Sequence, residues 1–463
     1  MNRAGINRRK FLNSSTRSVA SAGALAAVGG DLVRGLANCW GADLPQVKFP
    51  RATDGDLVHE PNWDQYLSIT VGPSVGSKQA DLVGNDDKVI QAAIDYVTRL
   101  GGGTVRLLPG EYILRSSVFL PTGLRLLGSG ADSVLTKIGS QSIGLSEDSD
   151  WYDQEITLAT DSDFRVGDSV VLRATDPHHG GPIVIKRRLI ACNGNRFKLN
   201  DGLRKNLWHS GKPTCASLFP LLTSENVSDV VIENLTLDGN RANNENFNGN
   251  HGGCIFLQDC SRFVMKNVET RNYNGDGISF QICHDVVVEN CHSHGNAGLG
   301  IHPGSGSQRP LIRNNRMEGN QIGLFWCWGV KYGLGEGNQL DANQIGISIG
   351  HNDTDNLMRN NRVARSSKVG IIFRDDSRGH NFWPNRNRLE KNEVIDSGGE
   401  EGVAIDIQGK TRETVLVSNI LRETRGPAKR IGIRIANEAG AVTLEKNTIE
   451  GFATNVLDQR SEN

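Results

Sequence analysis

The chain has 463 residues, of which 51 are basic and 52 acidic, for a net charge of −1, and only 6% are aromatic. So even a balance gives no electrostatic case for binding nucleic acid or an anionic membrane. No segment reaches the roughly 18 consecutive apolar residues of a membrane-crossing helix.

The first feature in chain order is Asn7-Arg8-Arg9-Lys10-Phe11-Leu12-Asn13, followed by a mild, alanine- and glycine-rich apolar stretch from Val19 to Gly30. Paired arginines ahead of a short apolar region look like a twin-arginine export signal. Residues 1–42 are therefore read as signal and linker, and the protein as periplasmic or extracellular. Leu36-Ala37-Asn38-Cys39 departs from a lipoprotein cleavage box because asparagine precedes the cysteine. Eight cysteines in an exported chain raise the question of disulfides. However, Cys254, Cys260, Cys283, Cys291 and Cys327 fall inside repeats and no C-x-x-C pair occurs, so buried free thiols are expected.

Residues 43–149 are read as a cap and the first turns of a coil. Asp86-Asp87-Lys88-Val89-Ile90 opens a run to Leu100 with apolar residues three and four apart, closed by Gly101-Gly102-Gly103. Acidic capping residues and terminal glycines predict an amphipathic helix. Strands are predicted at Thr104 to Leu108, around Tyr112, and at Leu124 to Leu127. The helix, the triple glycine and Thr104-Val105-Arg106-Leu107-Leu108-Pro109-Gly110-Glu111-Tyr112 resemble the N-terminal signature of the pectate-lyase-like β-helix superfamily. That resemblance implies a right-handed parallel β-helix and, for most members, action on acidic polysaccharides.

Residues 150–222 break the pattern of the coil. Phe164 to Ala174 and Cys192 to Leu203 read as β-hairpins of an inserted β-rich subdomain whose tip overhangs a groove. Asp176-Pro177-His178-His179 is similar to the Asp-Pro-His motif of alginate C5-epimerases, but it falls in this insertion, and the strand where that family carries the motif reads Ile301-His302-Pro303.

Residues 223–463 are repeats. Gly277-Ile278-Ser279-Phe280, Gly300-Ile301-His302-Pro303, Gly323-Leu324-Phe325-Trp326 and Gly346-Ile347-Ser348-Ile349 start 23 residues apart, and Gly370-Ile371-Ile372-Phe373 follows 24 later. Self-similarity at this period with a two-residue alternation predicts stacked short strands. A second register runs through Asn234, Asn267, Asn290, Asn315, Asn338, Asn361, Asn392, Asn419 and Asn447, in steps of 33, 23, 25, 23, 23, 31, 27 and 28. Asparagine tolerates left-handed turns, and stacked copies can form an amide ladder. The fold class is thus all-β, a right-handed single-stranded parallel β-helix of about ten turns, with an N-terminal capping helix and a β-rich insertion. A coil that buries its own core under a capping helix is expected to be a soluble monomer.

Within each unit, the residues two and four after the glycine point outward, and neighbouring rungs lie about 4.8 Å apart. The first outward column contains Ser279, His302, Phe325, Ser348, Ile372, Asp406 and Arg434; the second contains Gln281, Gly304, Cys327, Gly350, Arg374 and Gln408. Trp328, His351 and Asp375 follow on successive rungs, with Asp376 adjacent. β-Elimination at a uronate needs a cation for the carboxylate, a base for the C5 proton and an acid for the leaving oxygen. Arg374 suits the cation or base, and His351 or His302 the base or acid. Asp375 suits an orienting group or the ligand of a hard cation such as Ca2+. Trp328, Asp376, Asp406 and Gln281 are candidate sugar contacts; the bland alternative is that these groups pair on a solvated face. Asn274-Gly275-Asp276-Gly277-Ile278 resembles the Asn-Thr-Asp-Gly-Ile motif of polygalacturonase-type hydrolases, which makes Asp276 a candidate catalytic carboxylate. The same family requires Asp-Asp and Gly-His-Gly on the next rungs, where this chain has Gly298-Leu299-Gly300 and Gln321-Ile322-Gly323. A turn residue bonding its own backbone is the competing reading of Asp276.

These features point to an exported enzyme acting on an acidic polysaccharide, with β-elimination preferred over hydrolysis or C5-epimerisation. A non-catalytic carbohydrate-binding or surface β-helix is the rival from another class.

Overall fold

A computed structural model describes residues 60–73 and 80–460; the export-type segment lies outside the described residues. Helix α1 spans Asp87–Arg99. The Asp86 carboxylate caps it by accepting from the backbone N–H groups of Lys88 and Val89, and Ile90, Ala93, Ile94 and Val97 are buried against the first turns. This satisfies orphan donors at the helix start and covers an edge that a solenoid otherwise leaves open. No described helix is long and apolar enough to cross a membrane.

The chain then winds through two long parallel sheets, one of 22 strands and one of eleven. The eleven-stranded sheet takes one strand from each turn, from Val118–Phe119 through Leu222–Glu225, Gly253–Gln258, Asp276–Gln281 and Leu299–Gly304 to Thr454–Asp458. Inward pairs such as Ile278 with Phe280, Leu324 with Trp326 and Ile371 with Phe373 are fully buried. In-register pairing of Ile255 with Ile278, Ile278 with Ile301 and Ile347 with Ile371 stacks these side chains into one continuous core. Cys254, Cys260, Cys283 and Cys291 are buried free thiols and Cys327 is half-buried.

The asparagines fall into two classes. Asn234, Asn267 and Asn290 adopt φ of 52°, 52° and 53°, the left-handed corner between two strands. From Asn315 onward that corner passes to the preceding residue, such as Asn314 or Asn360, and the following asparagine turns inward. Its amide then bonds the next rung: Asn338 Nδ2 donates to Asn361 Oδ1 at 2.9 Å, Asn361 to Asn392 at 2.9 Å and Asn392 to Asn419 at 3.0 Å. The 25-residue step from Asn290 to Asn315 therefore combines a one-residue shift between classes with a turn of 24 residues, one longer than its neighbours.

Val118 pairs directly with Leu222, so after the coil strands Leu124–Leu127 and Ser133–Lys137 the next turn resumes as if the segment from Ser142 to Ala216 were absent. Within that segment six strands, among them Ser169–Thr175, Pro182–Asn193 and Arg196–Leu199, form a mainly antiparallel sheet of their own. Leu172, Ile185, Leu189, Phe197 and Leu207 give it a separate apolar core. It is bolted to the coil by Arg115, whose guanidinium meets Asp168 through two bonds of 2.8 and 2.7 Å.

Lys137 lies beneath the same junction and is 1% exposed. Its Nζ donates to Ser217 O at 2.8 Å and to Asn244 Oδ1, and sits 4.5 Å from the Phe219 ring. Burial pushes its pKa from an ordinary 10.5 down to about 7. Because the folded protein holds the neutral amine, unfolding between those values takes up a proton, and stability should rise with pH from about 7 to 10.5. Thermal melting across that range should show this slope in the wild type and a flatter one in Lys137→Met.

Candidate functional site

The register defines an outward column on the eleven-stranded sheet: Phe119, Thr223, Phe256, Ser279 and His302 are paired rung to rung. The pairing of Ile301 with Leu324 carries the column on to Phe325, and further pairs add Ser348, Ile372 and Asp406. Asp276 opens the strand below His302, and its Oδ2 lies 2.8 Å from His302 Nδ1. Its other oxygen accepts from Leu299 N at 3.0 Å, so the carboxylate is held from two sides. Gly249 and Gly298 wall the carboxylate in so closely that a Cβ at either would overlap it. Asp276 is thus a strand residue bonded to the next rung, and the turn reading does not apply. Accepting the Nδ1 proton fixes the tautomer of neutral His302 with Nε2 as the free base. Among the described residues, no hydrogen bond engages that nitrogen.

Ser279 Oγ donates to Gly249 O at 2.8 Å and accepts from Gln281 Nε2 at 3.2 Å. Gln281 spreads over Gly304, and its Oε1 is buried without a partner. Three rungs further, Arg374 reaches back over Gly350, where a Cβ would collide with the guanidinium. Its Cζ stands 4.5 Å over the Phe325 ring, which in turn is 5.1 Å from the His302 ring. Nε and Nη2 of Arg374 are buried with no hydrogen-bond partner, and its ion pair to Asp376 is long at 3.7 Å. Nearby, the Asp353 carboxyl accepts from Val330 N and Gly350 N, and burial pushes its pKa up to about 7. With Arg374 on one side of Phe325 and His302 on the other, a guanidinium with two unpartnered nitrogens and an imidazole with a free Nε2 flank the same ring, a cation for an anionic group and a base on either side of it.

The remaining sequence-derived residues sort differently. His351 is 4% exposed, and its Nδ1 accepts from Arg378 N at 3.1 Å. Burial holds its pKa below the ordinary value. The neutral ring therefore carries its proton on Nε2 and is a hydrogen-bond donor, not a base. Trp328 packs edge-on to His351 at 4.5 Å and lies under the Arg378 guanidinium at 4.6 Å, so that face of its indole is taken. Asp375 is held within its own loop, where Oδ1 accepts from Trp383 Nε1 at 3.0 Å. Asp376 sits between Arg374 and Arg378, at 3.7 and 3.5 Å. Asp406 is 1% exposed and is bonded through both oxygens to Arg434 and through one to Gln408, so its carboxylate is engaged by the neighbouring rung. Asp176 caps its own turn in the insertion by accepting from His178 N and His179 N. Among the described residues, Asp375 and Asp376 converge with no third ligand. Among the described residues, the cluster with ligand atoms within 4.8 Å of one another is Glu269, His292 and His294.

The pairing of Asp276 with His302 went unread in the sequence. The signal was in the column before the glycines, which runs Gly253, Asp276, Leu299, Ile322, Ile345, Val369, Val403. Asp276 is its ionisable member.

Residues 223–385 match the family described as right handed beta helix region. The chain is a right-handed parallel β-helix protein. Among solved structures, it is similar to the A-module of the mannuronan C-5 epimerase AlgE4 from Azotobacter vinelandii, at 17% identity and a TM-score of 0.52, covering 84% of this chain and 100% of that one. The catalytic domain of a GH87 alpha-1,3-glucanase is similar at 12% identity and a TM-score of 0.50, covering 87% and 66%. The Streptococcus pneumoniae surface protein and adhesin PfbA aligns at 14% identity with a TM-score of 0.49, covering 82% and 98%. At these identities the β-helix likeness is one of fold. No curated protein matches the sequence.

Proposed function

We propose that this β-helix protein is an exported enzyme that cleaves a uronate-containing polysaccharide by β-elimination. The observation that carries the reading is the orphaned Arg374 guanidinium over Phe325, one rung from a histidine whose Nε2 is free and whose Nδ1 is held by Asp276. Arg374 binds the sugar carboxylate and stabilises the negative charge that develops as the C5–H bond breaks. His302 Nε2 takes that proton, and Asp276 stabilises the imidazolium. The C5–H electron pair becomes the C4–C5 double bond, the C4–O bond breaks, and the imidazolium returns its proton to the leaving oxygen. His351, with Nε2–H as donor, holds a sugar hydroxyl. The paired arginines at Arg8 and Arg9 support export.

One residue that serves both H5 and O4 must find them on the same ring face. Gluco- and manno-configured uronates present them so; galacturonate does not. Polymers of the three uronates are incubated with the protein, and the ultraviolet absorbance of the new double bond is followed. Absorbance is expected with polymannuronate or polyglucuronate ahead of polygalacturonate. New reducing ends without absorbance would make the protein a hydrolase. Inverted C5 without cleavage would make it an epimerase, and binding without turnover a carbohydrate-binding module.

A further inference from the structure

Elsewhere on the coil, cations are spent on the neighbouring rung. Arg309 meets Asp285 at 2.7 Å, Arg386 meets Asp355 at 2.7 Å and Arg434 meets Asp406 at 2.5 Å. The outward column of His302 is different. Strand Pro182–Asn193 of the insertion lines, together with coil strands that carry Phe119, Thr223 and Phe256, a cleft of about 570 Å³. From this strand Lys186 places its ammonium 4.2 Å from the Phe256 ring centroid, and Arg188 places its guanidinium 4.5 Å from that of Phe119. Neither side chain makes a hydrogen bond or ion pair among the described residues, and Arg188 Nε is buried with no partner. Lys186 counts as exposed along its length, yet its ammonium end is crowded enough by protein to lower its pKa. Their neighbours on the same wall are occupied: Arg187 donates to the carbonyls of Asp201, Gly202 and Leu203, and Arg204 pairs with Asp201.

An aromatic face returns only part of what a desolvated cation loses in hydration. Lys186 and Arg188 rest on aromatic faces with no ion pair of their own, under only the longer-range attraction of Glu225 and of Asp87 and Asp95 respectively, so each can still take an anion. Their positions are ordered as well. Phe119, Phe256 and Phe325 lie on one column, and each carries an ion-pair-poor cation: Arg188, Lys186 and Arg374. The first two rings are two rungs apart and the last two are three apart, about 10 and 14 Å at 4.8 Å per rung. A ligand that meets all three is a linear polyanion with its charges spaced along an extended chain.

We propose that the cleft beneath the insertion is a binding track for successive carboxylates of an anionic polysaccharide, held by Lys186 and Arg188 and leading along the column to Arg374. The end of the track at Arg374 rests on the lyase reading; the track itself does not. It makes the insertion a polymer-binding element and its two cations the determinants of preference for acidic over neutral chains.

The test is equilibrium binding of polymannuronate by the full chain carrying His302→Gln, so that turnover does not consume the ligand. Adding Lys186→Gln and Arg188→Gln is expected to weaken binding at least about tenfold each, and to make affinity less dependent on salt. Arg188→Lys, which keeps the charge over Phe119, should recover part of the loss, and this shows that the effect is not misfolding. The same polymer with its carboxyls reduced to alcohols should bind wild-type and substituted cleft alike, and weakly. The track is overturned if the doubly substituted cleft binds polymannuronate as tightly as its parent, or if the reduced polymer binds equally well. If no uronate polymer is cleaved by the wild type but binding still depends on Lys186 and Arg188, the lyase reading fails and the track stands. If the wild type cleaves and the substituted cleft binds unchanged, the converse holds.

Discussion

Replacing His302 by glutamine is expected to lower kcat on a uronate polymer by about 10²- to 10⁴-fold while leaving the coil folded. Glutamine can still donate to Asp276, which limits the structural cost, but it has no nitrogen to take the C5 proton. Asp276→Asn should cost nearly as much, because an amide can present its N–H to His302 Nδ1 and reverse the tautomer, leaving the proton on Nε2. The two losses should not add. Each breaks the same unit, so the double variant is expected to resemble the worse single one. Steady-state kinetics of the three variants check this. A double variant whose loss is the product of the single losses would mean that the 2.8 Å contact between Asp276 and His302 is not a working pair.

Asn361→Leu should be the most damaging change away from the site. The Asn361 amide accepts from Asn338 N and Nδ2 and donates to Gly335 O and Asn392 Oδ1, all at 2.9 or 3.0 Å. Leucine fills the volume and satisfies none of these partners. Each buried group left unpaired costs about 1–3 kcal/mol, so a loss of roughly 3–6 kcal/mol is expected after the gain in apolar contact. Asn447 makes the same kind of bond to Asn419 near the end of the ladder but is only partly buried, and Asn447→Leu should cost about 1–2 kcal/mol. Urea unfolding of the two variants measures the gradient, and equal losses would mean that the ladder does not act through burial.

The architecture was legible in the sequence because a period of 23 residues and an apolar pair in each unit are properties of the chain alone. Arg374 was legible as a cation on the right column for the same reason. What was hidden depends on the side chain's reach and on which partner claims it. Asp406 lay on the expected column, but Arg434 one rung away consumes it. Asp276 stood one position outside the columns that were read, and only the stacking of its strand under His302 reveals the pair. The cleft was legible only as an insertion that overhangs a groove. Its cations belong to a segment with no coil period, and what they face is set by the pairing of Val118 with Leu222 across that segment.

The central claim is tested most directly by a structure of the His302→Gln variant bound to an oligomer of mannuronate. The account predicts one sugar beside Phe325 with its carboxylate on the Arg374 guanidinium, and its C5–H directed at the position of the missing imidazole nitrogen. A sugar bound with its carboxylate away from Arg374, or with C5 facing solvent, would contradict it.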